Sequence, residues 1–435
     1  KILIVKINAS GQLLWSREIH IGGHNLGNSA IELSDGYLIC GSLDRNSALI
    51  KLDKENGETI FLETFDNGGI DAFENVSIVP NGFIAVGYVH SEDPFNTFYT
   101  EGEGFAMFLD ENGIELSSQN LSQLIDQAYR VQTFNNELII SGLSEGASDY
   151  KVIKMSLDGN VVWHYSYGGN EEDHCFGMDV NDDGDIFLAG HTLSGTQNWD
   201  TYTVKINNDG DLVWDSTIGN PRGFNPEYIH DESWGVKATN DGGCVVIAGT
   251  GDEYEEYSEC NGQDCSDVWS AYLIKYSSIG DVNWQKTFSS YEVSEDIYDW
   301  AGEAIDLTND GGGILAIDNG QFGFLRLSNI QNTLINDYRH DSPTSFRLYN
   351  NYPNPFNPKT ILKYDLPQNS FVKVIVYDIQ GKMVNNLVNT NQISGFKSVQ
   401  WNATNNYGQP VSAGVYLYTI EAGDFRQTKK MILLK

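Results

Sequence analysis

The stretch "TYTVKINNDGDLVWDSTIG", residues 201–219, reads as strand, tight turn, strand: apolar residues alternate on either side of Asn-Asp-Gly. It has close relatives along the chain. They are "LIVKINASGQLLWSREI" from Leu3, "ALIKLDKENGETIFLETF" from Ala48, "YKVIKMSLDGNVVWHYSYG" from Tyr150 and "AYLIKYSSIGDVNWQKTF" from Ala271. "FAMFLDENGIELSSQNL" from Phe105 and "FGFLRLSNIQNTLINDY" from Phe322 are weaker copies. The aligned basic positions are Lys6, Lys51, Lys154, Lys205, Lys275 and Arg326, with Met107 standing in the third copy.

A second hairpin type lies between these copies, as in "AIELSDGYLICGS" (30–42), "MDVNDDGDIFLAGHT" (178–192) and "VKATNDGGCVVIAGT" (236–250). Two alternating hairpins make a four-stranded unit. The basic positions are spaced by 45, 103 (two units), 51, 70 and 51 residues. Self-similarity near this period in an all-β sequence predicts a β-propeller. Seven outer hairpins and six inner ones are countable, and the chain starts in mid-blade. Either an inner hairpin precedes the first residue or the two termini share a blade. Seven four-stranded blades, the first incomplete, is the preferred reading. Trp15, Trp163, Trp214 and Trp284 recur in the outermost strand and are expected to wedge between blades. The Lys series is expected to form a structural ladder. "SLDGNVVW" (156–163) resembles a degenerate sialidase-type Asp box, and "IKLDKENGETIF" resembles the repeat of quinoprotein dehydrogenases. Both signatures are turns in those families and imply no activity.

Charge narrows the partners. The chain has 435 residues and a formal net charge of −34. Residues 344–435 hold 10 basic and 4 acidic residues, net +6; residues 1–343 hold 16 and 56, net −40. Such a first region repels nucleic acid and anionic membrane. No apolar run approaches the length that spans a membrane, and "KILIVKINASGQLLW" does not read as a signal peptide. Cys260 and Cys265 lie in the polar loop "ECNGQDCSD", where a local disulfide suits an exported protein. Cys40, Cys175 and Cys244 fall in or beside apolar strands and are expected to be buried thiols.

Propeller connectivity separates two faces. The a–b and c–d turns lie on one face and are short. The b–c and d–a loops lie on the other and carry the insertions 90–104, 192–200, 220–232, 251–269 and 290–300. Long loops on one face of a rigid scaffold suggest a binding face. Trp199, Trp234, Trp269, Trp300, Tyr254 and Tyr298 are expected there. So are Asp71, Asp126, Asp173, Asp231 and Asp299, which open successive inner strands. Aromatic faces beside carboxylates suit sugar rings or cationic partners. Asp252, Glu255, Glu256, Asp264 and Asp267 offer hard oxygen ligands, so Ca2+ is the one cofactor suggested. "DVNDDGDI" (179–186) resembles the start of an EF-hand loop, but the twelfth position is Gly190 and the segment aligns with hairpin turns. Six histidines (His20, His24, His90, His174, His191, His230) fall toward the same face, without zinc-site spacing. No hydrolase, metalloprotease or P-loop motif is present.

The tail begins with "NYPNPFNPKT" (351–360), whose prolines forbid helix and central strand and predict a stiff edge segment. Short alternating strands with Gly turns follow, enough for one Ig-like β-sandwich. The expected division is a propeller over 1–340, a linker over 341–350 and the sandwich over 351–435. "YPNPFNPKTILKYDLP", then "VYDIQGKMV", Trp401, "SAGVYLY" and "KKMILLK", resembles the type A C-terminal sorting domain of type IX secretion substrates. An Ig-like module of flagellar hook-capping proteins is related to it. The positions carrying the resemblance are Pro353, Asn354, Pro355, Phe356, Asn357, Pro358, Gly381, Gly414, Tyr416, Lys429 and Lys430. It implies export across the outer membrane of a Gram-negative cell by the type IX machinery, followed by release or surface attachment. The function so implied is a secreted or surface protein whose propeller binds glycan or protein. The alternatives are a glycan hydrolase or lyase, and a self-associating structural subunit of a surface layer or fibre.

Overall fold

The computed structural model describes residues 1–91, 102–144, 149–219, 221, 229–251, 269–288, 300–318, 322–330, 346–351, 354–392, 395–423 and 425–434. The chain is all-β and forms two compact units, Lys1–Leu334 and Ile335–Lys435. Among the described residues no helix is long and apolar enough to cross a membrane.

Among its described residues the first unit is a propeller of seven successive antiparallel sheets. β1 (Ile2–Ile7) and β2 (Leu13–Ile19) form a two-stranded sheet. The next holds β3 (Asn25–Glu32), β4 (Gly36–Leu43), β5 (Asn46–Asp53) and β6 (Thr59–Phe65). Then come β7 (Ile70–Val79), β8 (Gly82–Ser91), β9 (Glu103–Leu109) and β10 (Glu115–Asn120). The fourth sheet contains β11 (Gln127–Phe134), β12 (Glu137–Leu143), β13 (Tyr150–Ser156) and β14 (Val161–Tyr167). The fifth contains β15 (Asp173–Val180), β16 (Ile186–Thr192), β17 (Asp200–Ile206) and β18 (Leu212–Ile218). The sixth contains β19 (His230–Ala238), β20 (Cys244–Gly251), β21 (Ser270–Tyr276) and β22 (Val282–Phe288). Three described strands, β23 (Ala301–Leu307), β24 (Gly313–Asp318) and β25 (Phe322–Leu327), make the last.

The middle two strands of each full blade bury nearly every residue, because both faces of a blade pack on neighbours. The fourth strand alternates, as in Leu212–Ile218. Adjacent blades key together at one repeated contact. A Cβ on the outer-turn Gly57, Gly113 or Gly280 would lie 2.7–2.9 Å from the ring of Trp15, Phe61 or Trp214 in the preceding blade. Gly11 stands in the same relation to Phe324 of the last sheet, at 3.9 Å, so the ring of sheets returns on itself. Trp214 also donates its indole N–H to the Ser278 carbonyl at 3.1 Å. Trp15 and Trp214 are therefore wedges as expected, and Phe61 takes the same place in its copy.

The basic series ties each outer hairpin to the inner turn of its own blade. Lys51 meets Asp35 at 2.8 Å, Lys154 meets Glu137 at 2.7 Å, Lys205 meets Asp185 at 2.7 Å and Lys275 meets Asp241 at 2.9 Å. All four lysines are buried. The EF-hand-like segment is one of these turns: Asn181 accepts from the N–H groups of Asp183 and Asp185, and Gly184 donates to the Asn181 carbonyl. Cys40, Cys175 and Cys244 are free and buried.

The second unit is a sandwich. β26 (Arg347–Leu348), β27 (Thr360–Leu366) and β30 (Gly395–Trp401) form one sheet. β28 (Ser370–Asp378), β29 (Met383–Gln392), β31 (Gly414–Ala422) and β32 (Phe425–Leu433) form the other. Trp401, Tyr364, Tyr418, Val374 and Phe356 fill the space between. The Asn-Pro-Phe segment lies along β32 as a short parallel edge. Phe356 donates to Ile432 O at 3.0 Å, accepts from Leu434 N–H at 2.8 Å, and Asn354 Oδ1 accepts from Ile432 N–H at 2.9 Å. The prolines serve this edge, where a missing donor leaves no ladder bond unmade.

Candidate functional site

The site begins with an irregularity repeated in all six inner strands. Near its start each skips a residue in the ladder to the next strand: Asn28, Glu74, Tyr129, Phe176, Trp234 and Glu303, with β7 skipping Asp71 as well. A bulge leaves the skipped residue unpaired and re-aims its side chain. These strands surround the propeller axis, and their starts lie at the face carrying the long loops. Three skipped residues meet ring to ring across three successive blades. Tyr129 lies 4.9 Å from Phe176 and Phe176 lies 4.5 Å from Trp234, between centroids. The residues after the bulges stack as well: a Cβ on Gly177 would lie 2.9 Å from Gly235 Cα, and one on Gly235 would lie 3.7 Å from Ala304 Cα. Hence the bulged segments of β15, β19 and β23 lie against one another at their backbones.

Histidines complete the aromatic arc. His174 Nδ1 is 3.2 Å from His191 Nε2, and both rings are buried. Trp199, from the loop between β16 and β17, packs 4.6 Å from His174 and 4.8 Å from His191. Burial, reinforced by each other's proximity or that of His230, pushes His174 down to about 3 and His191 to about 4. Both are neutral imidazoles at pH 7. His174 Nε2 faces the Glu172 carboxylate at 3.8 Å, which favours the proton on that nitrogen. His174 Nδ1 and His191 Nε2 share one hydrogen bond, and His191 Nδ1 lies on the far side of its ring from it. That atom is buried and has no hydrogen-bond partner among the described residues.

Acids complete the other arc. Glu232 is next to the Trp234 bulge, 3.1 Å from His230 Nδ1. Burial opposes its charge, but the His230 bond and the nearby imidazoles outweigh that and hold its carboxyl below the usual range. Glu303 is exposed on its strand, yet desolvation by the protein packed around it, with Asp318 and Glu232 nearby, pushes its carboxyl up to about 7. Glu74 is pushed up to about 7 by burial, against the pull of Arg130. Glu232 and Glu303, in adjacent blades, are thus driven apart in acidity.

Of the residues expected from the sequence, Trp199 and Trp234 come together here, each half-buried. Trp269 lies over the Gly249 and Gly251 backbone, and its carbonyl accepts from Trp300 N–H at 2.8 Å; Trp300 packs on the core of its blade. The Asp series latches loops to inner strands. Asp71 accepts from the N–H groups of Asn67 (2.6 Å) and His90 (3.0 Å). Asp173 accepts from Gly169 N–H at 2.6 Å. Asp126 and Asp231 donate their N–H groups to Leu143 and Trp199 carbonyls. Tyr254, Tyr298, Asp299, Asp252, Glu255, Glu256, Asp264, Asp267, Cys260, Cys265 and Pro353 lie outside the described residues. Among the described residues no three His, Cys, Asp or Glu side chains converge on a metal position. In the sandwich, Gly381 closes a turn onto the Asp378 carbonyl, and Gly414 opens β31. Tyr416 donates to the Ser412 carbonyl, and Lys429 to Asn350 Oδ1 at 2.7 Å; Lys430 is exposed.

One family model matches, and it matches the tail. Residues 358–424 match the FlgD Ig-like domain family. The solved structures similar to the chain include PorZ of Porphyromonas gingivalis, an essential bacterial surface component of its type-IX secretion system. That likeness has 12% identity over 96% of this chain and 60% of PorZ, with a TM-score of 0.35. A Dos1 propeller is similar at 10% identity over 74% of this chain and 80% of that one, TM-score 0.41. A PL25 ulvan lyase is similar at 9% identity over 90% and 99%, TM-score 0.44. Phosphoglucosamine mutase of Staphylococcus aureus strain Newman is 27% identical over 175 residues, covering 33% of this chain. The chain spans 39% of the length of that curated relative.

Proposed function

We propose that this chain is a glycan-binding protein exported by the type IX secretion system to the outer surface or surroundings of a Gram-negative cell. Its propeller is the binding module, and the sandwich over 351–435 is the sorting signal read by the machinery. The observation that carries the recognition half is the pairing of Trp199 and Trp234, each half-buried, around two neutral histidines at the loop-rich face. Flat rings with one open face stack on the C–H faces of sugars, and fixed polar atoms beside them orient hydroxyls. The export half is supported by the order of motifs from Asn354 to Lys430 and by the Ig-like match. Calcium held by Asp252, Glu255, Glu256, Asp264 and Asp267 would brace the 251–269 loop beside this face.

Glycan cleavage is the second reading, favoured by the bare Nδ1 of His191 close to carboxyls of divided acidity. One experiment separates the readings. The full chain is tested against a panel of polysaccharides and surface extracts, with calcium or chelator, while released sugar ends are assayed. Binding without product supports the lectin reading, and loss in chelator adds the metal. Product makes the protein an enzyme. Neither binding nor product, with salt-sensitive self-association, would make it a structural subunit. Export is tested by appending 351–435 to a periplasmic reporter in a type IX-competent host; a reporter that stays inside rejects that half.

A further inference from the structure

The first sheet of the propeller differs from the others at one edge. In β5, β17 and β21 the first strand of the outer hairpin pairs on both sides and is almost wholly buried. Among the described residues its counterpart β1 pairs with β2 alone, and only Ile2 of it is buried. The inner strands on either side are open in the same way. β15, with an inner strand on each side, buries seven of its eight residues. β3 buries only Asn25, and β23 only Gly302 and Ile305. Ile2 holds β1 against β3: a Cβ on Gly27 would lie 2.8 Å from Ile2 Cγ2. The lysine series is interrupted here too. Lys51, Lys154, Lys205 and Lys275 each meet an acid on the inner turn of their own blade, and Arg326 meets Asp310 at 2.5 Å. Among the described residues Lys6 has no such acid. It makes the other contact of the series, to the outer turn of the next blade: it donates to the Lys54 carbonyl at 2.6 Å, as Lys154 does to the Asn208 carbonyl at 3.3 Å.

We propose that the inner edge of β1, between β3 and β23, is a strand-accepting site for a β-hairpin of a partner protein. An edge strand with unpaired N–H and C=O groups is a template for strand addition. The hairpin's second strand pairs antiparallel with β1, its first strand lies between β3 and β23, and an Asp or Glu at its turn meets Lys6. The six inner hairpins of this chain define its pattern. The second strand is apolar on both faces, as in Ile186–Thr192, and the turn carries the acid, as Asp185 does for Lys205. A single extended strand would pair with β1 but leave β3 and β23 open. A second copy of the chain has no inner hairpin to lend, because all six described ones are paired within their own sheets.

The test titrates the full chain with a probe hairpin, residues 178–192 carried on a soluble fusion protein, and reads amide exchange by mass spectrometry. The probe is expected to slow exchange across Ile2–Ile7 about tenfold and to raise Tm. Asp185→Asn in the probe, or Lys6→Met in the chain, should each weaken binding about tenfold, and the two together should cost no more than either alone. Leu188→Pro in the probe, which removes a ladder donor, should abolish binding. Circular dichroism checks that Lys6→Met is folded; if it is not, the Asp185→Asn probe tests the same contact on the unaltered chain. Equal binding by the proline probe, or protection of the outer edges β14 and β18 equal to that of β1, shows unspecific sheet pairing and overturns the inference. No protection of β1 by the free probe also overturns it. If the same hairpin joined ahead of Lys1 then raises Tm, the edge takes a segment of its own polypeptide and not a partner's.

Discussion

His174 and His191 share a buried hydrogen bond, Nδ1 to Nε2 at 3.2 Å, between the first two strands of one blade. Two imidazoles so placed cannot both charge without repulsion, and burial already disfavours either charge. The bond is a stable feature of the neutral site and a liability in acid.

The first prediction follows from that pair. In the unfolded chain both histidines titrate near 6.5; folded, they titrate near 3 and 4. The unfolded state therefore binds more protons below pH 6.5, so the contribution is whole above 6.5 and is lost as pH falls toward 4. Each is worth on the order of 3 kcal/mol at the lower end. Thermal melts from pH 7 to pH 4 should show a falling Tm. His191→Gln, which keeps an amide donor but does not titrate, should flatten the slope. An unchanged slope would refute the assignment.

Glu303 acts in the opposite sense. Its folded carboxyl is raised from 4.5 to about 7, so the unfolded chain gives up its proton first and stability falls as pH rises from 4.5 to 7. Glu303→Gln should leave Tm unchanged near pH 4 and raise it increasingly toward pH 7. A Tm difference that shrinks with pH would contradict a raised carboxyl at Glu303.

Lys275 tests the blade ladder. It is 0% exposed and donates to both Asp241 oxygens, at 3.1 and 2.9 Å, and to Tyr276 O at 2.7 Å. Asp241→Asn strands a buried ammonium and should cost about 3–5 kcal/mol. Lys275→Met removes the charge with its partner left half-exposed and should cost less. Denaturant unfolding of the two single variants and the double variant measures the coupling; equal costs with no coupling would dismiss the ladder.

Trp214→Ala tests the wedge. It empties the contact with Gly280 and drops the bond to Ser278, and should cost about 3–5 kcal/mol. In the sandwich, Phe356→Ala should do similar damage, read as faster hydrogen exchange across β32, which its backbone pairs. Exchange confined to 354–358 would show that the edge segment is dispensable.

The repeats were legible because turn chemistry and strand period agree at each copy: "NNDG" between "TYTVKI" and "DLVW" permits little besides a hairpin. Trp199 and Trp234 were legible as members of the loop-rich face. The histidine pair was not, because His174 and His191 sit on different strands and meet only through register. The bulges were hidden for a related reason: a skipped residue interrupts strand alternation by one place, which looks like noise in a single copy. A signal did exist across copies. Glu74, Tyr129, Phe176 and Trp234 each fall three residues after Asp71, Asp126, Asp173 and Asp231. The aspartates drew attention through their charge, yet their backbone bonds make them latches, and the residues they position carry the chemistry.

A residue left out of the ladder makes no backbone bond to the neighbouring strand, so sheet pairing does not dictate its type. Asn28, Glu74, Tyr129, Phe176, Trp234 and Glu303 each occupy such a place, one per inner strand. Their identities range from carboxylate to indole on nearly the same backbone. One blade frame thus accepts a carboxylate in one copy and an indole in another, and the choice at each place is set by what packs there: Tyr129, Phe176 and Trp234 by one another, ring against ring.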